Sequence, residues 1–348
     1  MEKISNKSLE NLIEELTKTD CISGFEGSFP EYLRTKISIY VDDVKIDNLG
    51  NVIGVKRSKN PNAKRVMLEA HFDQVGLIVS GFEDGGFVSF ESVGSVDARI
   101  LPASEVYIGN KRIYGVIGHK PPHLFDGENT TPKIENMLID TGLSDDELKK
   151  PVKTGDKIAF KSNFTRLLNG QVSTTALDNR AGVAVLIDVA ERLADIVLDF
   201  DLYFAFTTQE ELGLAGAYAA APEIKPNEAI IVDVTHGETP DSKGKIEVFP
   251  LDNGAIIFRG PNVDYEKTLH LIEVAKTAEI PYSIEVSGAS SGTNAIAVQT
   301  TGEGVKTMLI SIPLKYMHTT VETLAIADVE AVANLIYEYL ANGGDENA

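Results

Sequence analysis

The stretch DLYFAFTTQEELGLAGAYAAAPEIKPNEAIIVDV, residues 201–234, decides the fold. Asp201 to Thr207 is a short apolar run rich in aromatic residues, and Ala229 to Val234 is a second run rich in Ile and Val; both have strand length. Between them Leu214 to Ala220 is small and alanine-rich, which favours a helix. A strand, a helix and a second strand in succession form the crossover unit of a parallel sheet. The alternation continues outward. A helix is predicted at Arg180 to Ala194, then Tyr265 to Ala278 (helix), Tyr282 to Val286 (strand), Asn294 to Thr300 (helix), Thr307 to Ile312 (strand) and Ala327 to Leu340 (helix). Toward the N-terminus, helices are predicted at Ser8 to Thr17 and Pro30 to Tyr40. They precede a hairpin of Val44 to Ile46 with Asn51 to Val55 around Asn48-Leu49-Gly50, and a buried strand at Arg65 to Ala70. The expected class is α/β, with a mixed, largely parallel sheet sandwiched by helices.

Between about Val75 and Ser162 the texture changes. Short β-type runs (Leu77 to Val79, Phe87 to Phe90, Glu105 to Ile108, Arg112 to Ile117, Lys157 to Phe160) are separated by Gly, Asp and Asn, with one acidic helical stretch at Asp145 to Lys149. This predicts a small β-barrel-like domain inserted at residues 73–164, with residues 1–72 and 165–348 forming the α/β domain. Pro121-Pro122 and Asp126 to Thr131 suggest a long loop inside the insertion.

The chain has 348 residues, 43% hydrophobic and 24% charged, so it is long enough for a sizeable core and gives no sign of extensive disorder. Lys and Arg number 32 against 52 Asp and Glu, a formal charge of −20, which repels a phosphate backbone and argues against nucleic acid as a partner. Cys21 is the single cysteine, so an intrachain disulfide and a multi-thiolate zinc site are excluded; it reads as a small buried apolar residue. No apolar run approaches the ~20 residues of a membrane span, and Met1 to Ile13 lacks the apolar core of a signal peptide. The expected location is cytoplasmic, with no membrane partner.

In open α/β sheets, ligands bind beyond the carboxyl ends of the strands. His71 follows the strand at 65–70, Glu210 and Glu211 follow 201–207, Asp233 ends 229–234, His318 follows 307–312, and Asp178 precedes the helix at Arg180. All fall on one predicted sheet edge. Taken singly, each has an ordinary role: a hydrogen-bonded histidine, a turn aspartate at Asp73, an N-cap at Asp178, a solvated helix start at Glu210-Glu211. Asp233 in an apolar strand is harder to dismiss, because a lone buried carboxylate is costly. Imidazoles and carboxylates without thiolates suit Zn²⁺, Co²⁺ or Mn²⁺. Two such ions need a bridging carboxylate, for which Asp178 is a candidate, with His71 and Asp233 on one side and Glu211 and His318 on the other. A pair of ions ionises water at neutral pH and polarises a carbonyl. Adjacent carboxylates do not normally both coordinate, so Glu210 is the candidate proton carrier, and Asp73 can orient the His71 imidazole. Chemistry sets these roles but does not assign each ligand to an ion.

Ala70-His71-Phe72-Asp73-Gln74-Val75-Gly76, Ala176-Leu177-Asp178-Asn179-Arg180-Ala181-Gly182, Thr208-Gln209-Glu210-Glu211-Leu212-Gly213, Val232-Asp233-Val234-Thr235 and Tyr316-Met317-His318 resemble, in order, the metal-site motifs of the M42 family of co-catalytic metallo-aminopeptidases. Gly118-His119-Lys120-Pro121-Pro122-His123-Leu124 resembles that family's insertion. The resemblance implies a zinc-peptidase-like fold and two divalent metal ions, zinc or cobalt foremost and manganese as a further candidate. It implies that His71, Asp178, Glu211, Asp233 and His318 are the ligands, with Glu210 as general base and Asp73 supporting them. It also implies removal of N-terminal residues from short peptide substrates, in a homo-oligomer built as a tetrahedral, dodecamer-like assembly of dimers through the insertion. The chain departs from the family pattern at Asn294 (usually Asp), Lys315 (usually Arg) and Thr320 (usually Pro). Asn294 places the usual substrate contacts, and hence side-chain preference, in question. Lys315 and Arg259 read as surface or ion-pair residues rather than contacts for an acidic substrate, and Gly288 to Gly292 as a substrate-side loop. An acyl-amino-acid deacylase would use the same metal chemistry; a non-catalytic binding protein is disfavoured by the presence of Glu210.

Overall fold

The computed structural model describes residues 6–119, 132–242, 244 and 246–342; Pro121-Pro122, His123 and the loop expected at Asp126 to Thr131 lie outside the described residues. The chain opens with helices α1 (Asn6–Leu16) and α2 (Phe29–Ile37). Pro30 fixes φ in the first turn of α2, where no N–H is needed, and Phe29, Leu33 and Ile37, four apart, form its buried face. Strands β1 (Asp43–Ile46) and β2 (Val52–Lys56) pair as an antiparallel hairpin, and β3 (Arg65–His71) follows.

The chain then leaves the main sheet. Strands β4 (Gly76–Glu83), β5 (Phe87–Val93), β6 (Glu105–Ile108), β7 (Ile113–His119), β8 (Met137–Asp140) and β9 (Lys157–Phe160) close into a barrel in the order β4-β5-β8-β7-β6-β9. Alternate residues fill it, among them Leu77, Val79, Val88, Phe90, Ile139 and Ile158. Helix α3 (Asp145–Leu148) bridges β8 and β9 and begins with a capping box of Ser144 and Glu147. Closure removes the edges that a small exposed sheet would present.

The chain continues with β10 (Thr165–Arg166) and β11 (Gln171–Thr174), then α4 (Leu177–Leu193), β12 (Asp201–Thr207), α5 (Ala215–Ile224), β13 (Glu228–His236) and β14 (Ala255–Arg259). It ends with α6 (Tyr265–Thr277), β15 (Tyr282–Val286), α7 (Ala295–Gln299), β16 (Lys306–Leu314), β17 (Glu322–Ala325) and α8 (Ile326–Asn342). Eight strands make the main sheet in the order β1-β2-β12-β3-β13-β16-β14-β15, in which β12, β3, β13 and β16 are mutually parallel. Period-two alternation divides their side chains between two cores. Val66, Leu68 and Ala70 of β3 face the side covered by α1, α2, α4, α6 and α8, whereas Met67 faces the smaller α5 and α7 layer.

Helices and strands were legible where periodicity was long. The sheet is mixed, as expected: β14 runs antiparallel to β16 and β2 antiparallel to β12. The strands β8, β10, β11, β14 and β17 were not anticipated. Each has only two to five residues, which leaves little pattern to read, although β1, β6, β9 and β15 are as short and overlap predicted runs.

The loop from β12 to α5 carries the adjacent glutamates and is anchored from below. Asn51 accepts from the Thr208 N–H at 3.0 Å and donates to the Gly216 carbonyl at 3.0 Å. A Cβ at Gly216 would stand 2.1 Å from the Thr208 carbonyl oxygen and 2.6 Å from Asn51 Oδ1, backbone and anchored groups that cannot retreat. Gly216→Ala is therefore expected to lower the unfolding free energy by about 1–3 kcal/mol in a urea titration; unchanged stability would contradict this account of the loop.

Candidate metal centre

The parallel strands end on one edge, and the candidate groups gather there because each follows a strand or a helix start on that edge. His71 is the last residue of β3, and Asp233 lies near the end of β13. Asp178 falls in the first turn of α4 but with non-helical backbone angles, and the peptide bond to Asn179 is cis. Asp178 is not an N-cap, its ordinary role when taken alone: its carboxylate turns to the imidazoles instead of to a helix amide. Asp178 Oδ1 is 3.1 Å from His71 Nε2 and Asp178 Oδ2 is 3.3 Å from His318 Nε2. Asp233 Oδ1 lies 3.7 Å from His71 Nε2, and Glu211 Oε2 lies 3.4 Å from His318 Nε2. Two triads result, His71–Asp178–Asp233 and Asp178–Glu211–His318, each with one ligand atom per residue and all such atoms within 4.8 Å of one another. Asp178 belongs to both.

Glu210 and Glu211 occupy a turn between β12 and α5 rather than a helix start. Asp73 holds that turn: its Oδ1 accepts from the Glu210 N–H at 3.0 Å and its Oδ2 from the Glu211 N–H at 3.2 Å. Asp73 Oδ1 also stands 3.4 Å from His71 Nδ1, a longer approach than its bonds to the two amides. The sequence suggested the imidazole as its partner; the two amides are the better-formed bonds.

The electrostatics are those of an anionic pocket. Burial pushes the Glu210 carboxyl up to about 8; His71 opposes this, and Asp233, Asp178 and Asp73 reinforce it. Burial and the neighbouring Asp178 raise Glu211 well above the usual carboxylate range, and burial raises Asp233. For Asp178, burial is outweighed by bonding to His318 and His71, which holds it low. His71 is held well above the usual imidazole range, since its bonding to Asp178, Asp233 and Asp73 outweighs burial. Glu211 Oε1 is buried with no hydrogen-bond partner. Buried carboxylates in this number, balanced by two imidazoles and with an orphaned oxygen, fit a site for divalent cations, which would lower the carboxyl values again.

Two further carboxylates escaped the sequence reading. Glu322, 2% exposed, accepts from the His318 N–H at 2.8 Å and from the Asp178 N–H at 3.2 Å, tying two segments of the centre together. Its signal was available: it is the one charge in the apolar run Leu324-Ala325-Ile326 and its approach, and a buried carboxylate demands partners. Glu69 lies fully buried in β3, and burial raises its carboxyl to about 7. Asn294 Nδ2 donates to Glu69 Oε1 at 2.8 Å and to Thr207 Oγ1 at 3.1 Å. Asn294 is 1% exposed, so its departure from the family pattern alters a buried network beneath the centre. Arg259 stacks over the Tyr265 ring at 5.0 Å, and Cys21 is buried as expected.

Comparison with known proteins agrees with this architecture. The chain is 34% identical over 333 residues to the lysyl aminopeptidase of Pyrococcus furiosus, covering 93% of this chain and 94% of that protein. Its structure is similar to an aminopeptidase from the archaeon Desulfurococcus kamchatkensis, with a TM-score of 0.90, 30% identity and coverage of 97% and 96%. It is also similar to the TET1 peptidase of Pyrococcus horikoshii, which can assemble into a tetrahedron or a large octahedral shell, with a TM-score of 0.84, 32% identity and coverage of 96% and 99%. The M42 glutamyl aminopeptidase family pattern matches residues 50–335, and the chain belongs to that family.

Proposed function

We propose that this chain is a two-metal aminopeptidase that removes N-terminal residues from short peptides, with Glu210 as general base. The observation that carries the reading is the pair of His and carboxylate triads sharing Asp178 at the carboxyl edge of the parallel strands. His71, Asp178 and Asp233 would hold one cation and Asp178, Glu211 and His318 the other. When bound, such a pair lowers the pKa of water and polarises the peptide carbonyl. Zinc and cobalt suit the donor set best, with manganese also compatible.

The chain's own groups do the rest. Glu210, adjacent to a ligand but not counted in either triad, takes the proton from the attacking water and delivers it to the leaving amine nitrogen. Burial raises its carboxyl into the neutral range, which suits a group that must both accept and release a proton. Asp73 fixes the turn that carries Glu210 and Glu211 through two amide bonds, so the base and the ligand move as one unit. The barrel, within the insertion at residues 73–164, serves homo-oligomeric assembly, as the shells formed by the similar TET1 peptidase suggest. Among the described residues no helix is long and apolar enough to cross a membrane, which accords with the cytoplasmic location we propose.

The reading is tested with amino-acid p-nitroanilides and N-acetylated controls after chelation and restoration of Co²⁺, Zn²⁺ or Mn²⁺. Turnover of free N-termini only, lost on chelation and regained with metal, is expected; cleavage of the blocked controls would favour a deacylase instead. Glu210→Gln is expected to reduce kcat by about 10²- to 10⁴-fold while ion stoichiometry, read by elemental analysis, stays unchanged. Asp178→Asn is expected to weaken retention of both ions in the same assay, whereas loss of only one would contradict its place between the two triads.

A further inference from the structure

The loop that leaves β5 of the barrel reaches His318. His318 Nδ1 lies 3.0 Å from the carbonyl oxygen of Ser95, in the loop that leaves β5. A carbonyl only accepts, so the bond requires the proton on Nδ1. In the neutral ring that leaves the lone pair on Nε2, the nitrogen that faces Asp178 and Glu211. The neighbouring Gly94 has φ +78°, and a Cβ there would stand 2.9 Å from Val75 Cγ1 and 3.5 Å from Glu211 Cβ. The loop thus meets one triad directly, through the hydrogen bond to His318, and runs close enough to Glu211 that a side chain at position 94 would meet its Cβ. The other triad is supported differently. His71 has Asp73 at its Nδ1, and its ligands arise from β3, α4 and β13 of the main domain.

We infer that the loop at Val93 to Ser95 is a positioning element for one of the two cation positions, the one formed by Asp178, Glu211 and His318. The inference rests on the two-metal reading above and extends it: the loop that leaves β5 sets the tautomer and aim of His318, so the seating of that loop controls occupancy of that position and not of the other. Hydrogen bonds to the far nitrogen of a ligating imidazole fix ring orientation, and their loss weakens binding without removing a ligand.

The test compares Gly94→Ala with Gly142→Ala. Gly142 lies in the same insertion at φ +71° with no group within 4 Å of an added Cβ, so it carries similar backbone strain without the contact. Chelated full-length protein is titrated with Co²⁺ by calorimetry. Wild type and Gly142→Ala are expected to bind two ions per chain. Gly94→Ala is expected to keep one dissociation constant and to raise the other about 10- to 100-fold. Should Gly94→Ala fail to fold, Val75→Ala, which withdraws the methyl facing Gly94 without backbone strain, is expected to weaken the same single ion several-fold. Unchanged binding, equal weakening of both ions, or the same loss in Gly142→Ala would overturn the inference. Failure of wild type to bind two ions would instead overturn the two-metal reading on which it rests.

Discussion

Asp178 places its two carboxylate oxygens 3.1 and 3.3 Å from the Nε2 atoms of two imidazoles, one at the end of β3 and one in the turn that follows β16. That arrangement constrains much of the molecule. For His71 and His318 to converge on one carboxylate, β3 and β16 must end on the same edge of the sheet, which the parallel run of β12, β3, β13 and β16 provides. The start of α4 must depart from helical geometry so that Asp178 can turn inward. A carboxylate so placed repels its buried acidic neighbours, a conflict that shows in their raised carboxyl values and that the proposed cations would relieve.

Support for the centre comes from groups that never enter either triad. Glu322 spans the His318 and Asp178 amides, Asp73 spans the Glu210 and Glu211 amides, and Asn51 fixes the base of the same turn. Each uses an acceptor to organise backbone N–H groups, so the loops bearing the candidate ligands are held by bonds that do not compete for their side chains. Glu69 and Asn294 form a deeper layer in which an amide faces a buried carboxyl; the raised carboxyl value reflects burial that Thr207 and Asn294 only partly offset.

The sequence disclosed the parallel core because a strand of seven residues or a helix of seventeen displays its period, as in β12 and α4. It disclosed the members of the two triads because strand ends concentrate them on one edge. What it concealed was set by contacts distant along the chain. Nothing local to Ser95 announces that its carbonyl meets a histidine 223 positions later. Asp73 was legible as a supporting residue, but its bonds to amides 137 and 138 positions away were not. The motif alone gives no depth for Asn294, which is 1% exposed and bonded to Glu69 and Thr207.

In the proposed centre two cations share Asp178. Crystals of the chelated protein soaked in Co²⁺ and measured at the cobalt absorption edge test it directly. Two anomalous peaks per chain are expected about 3.5–4 Å apart, one against His71 and Asp233, the other against Glu211 and His318, with Asp178 between them. A single peak, or peaks that leave Asp178 unligated, would contradict it.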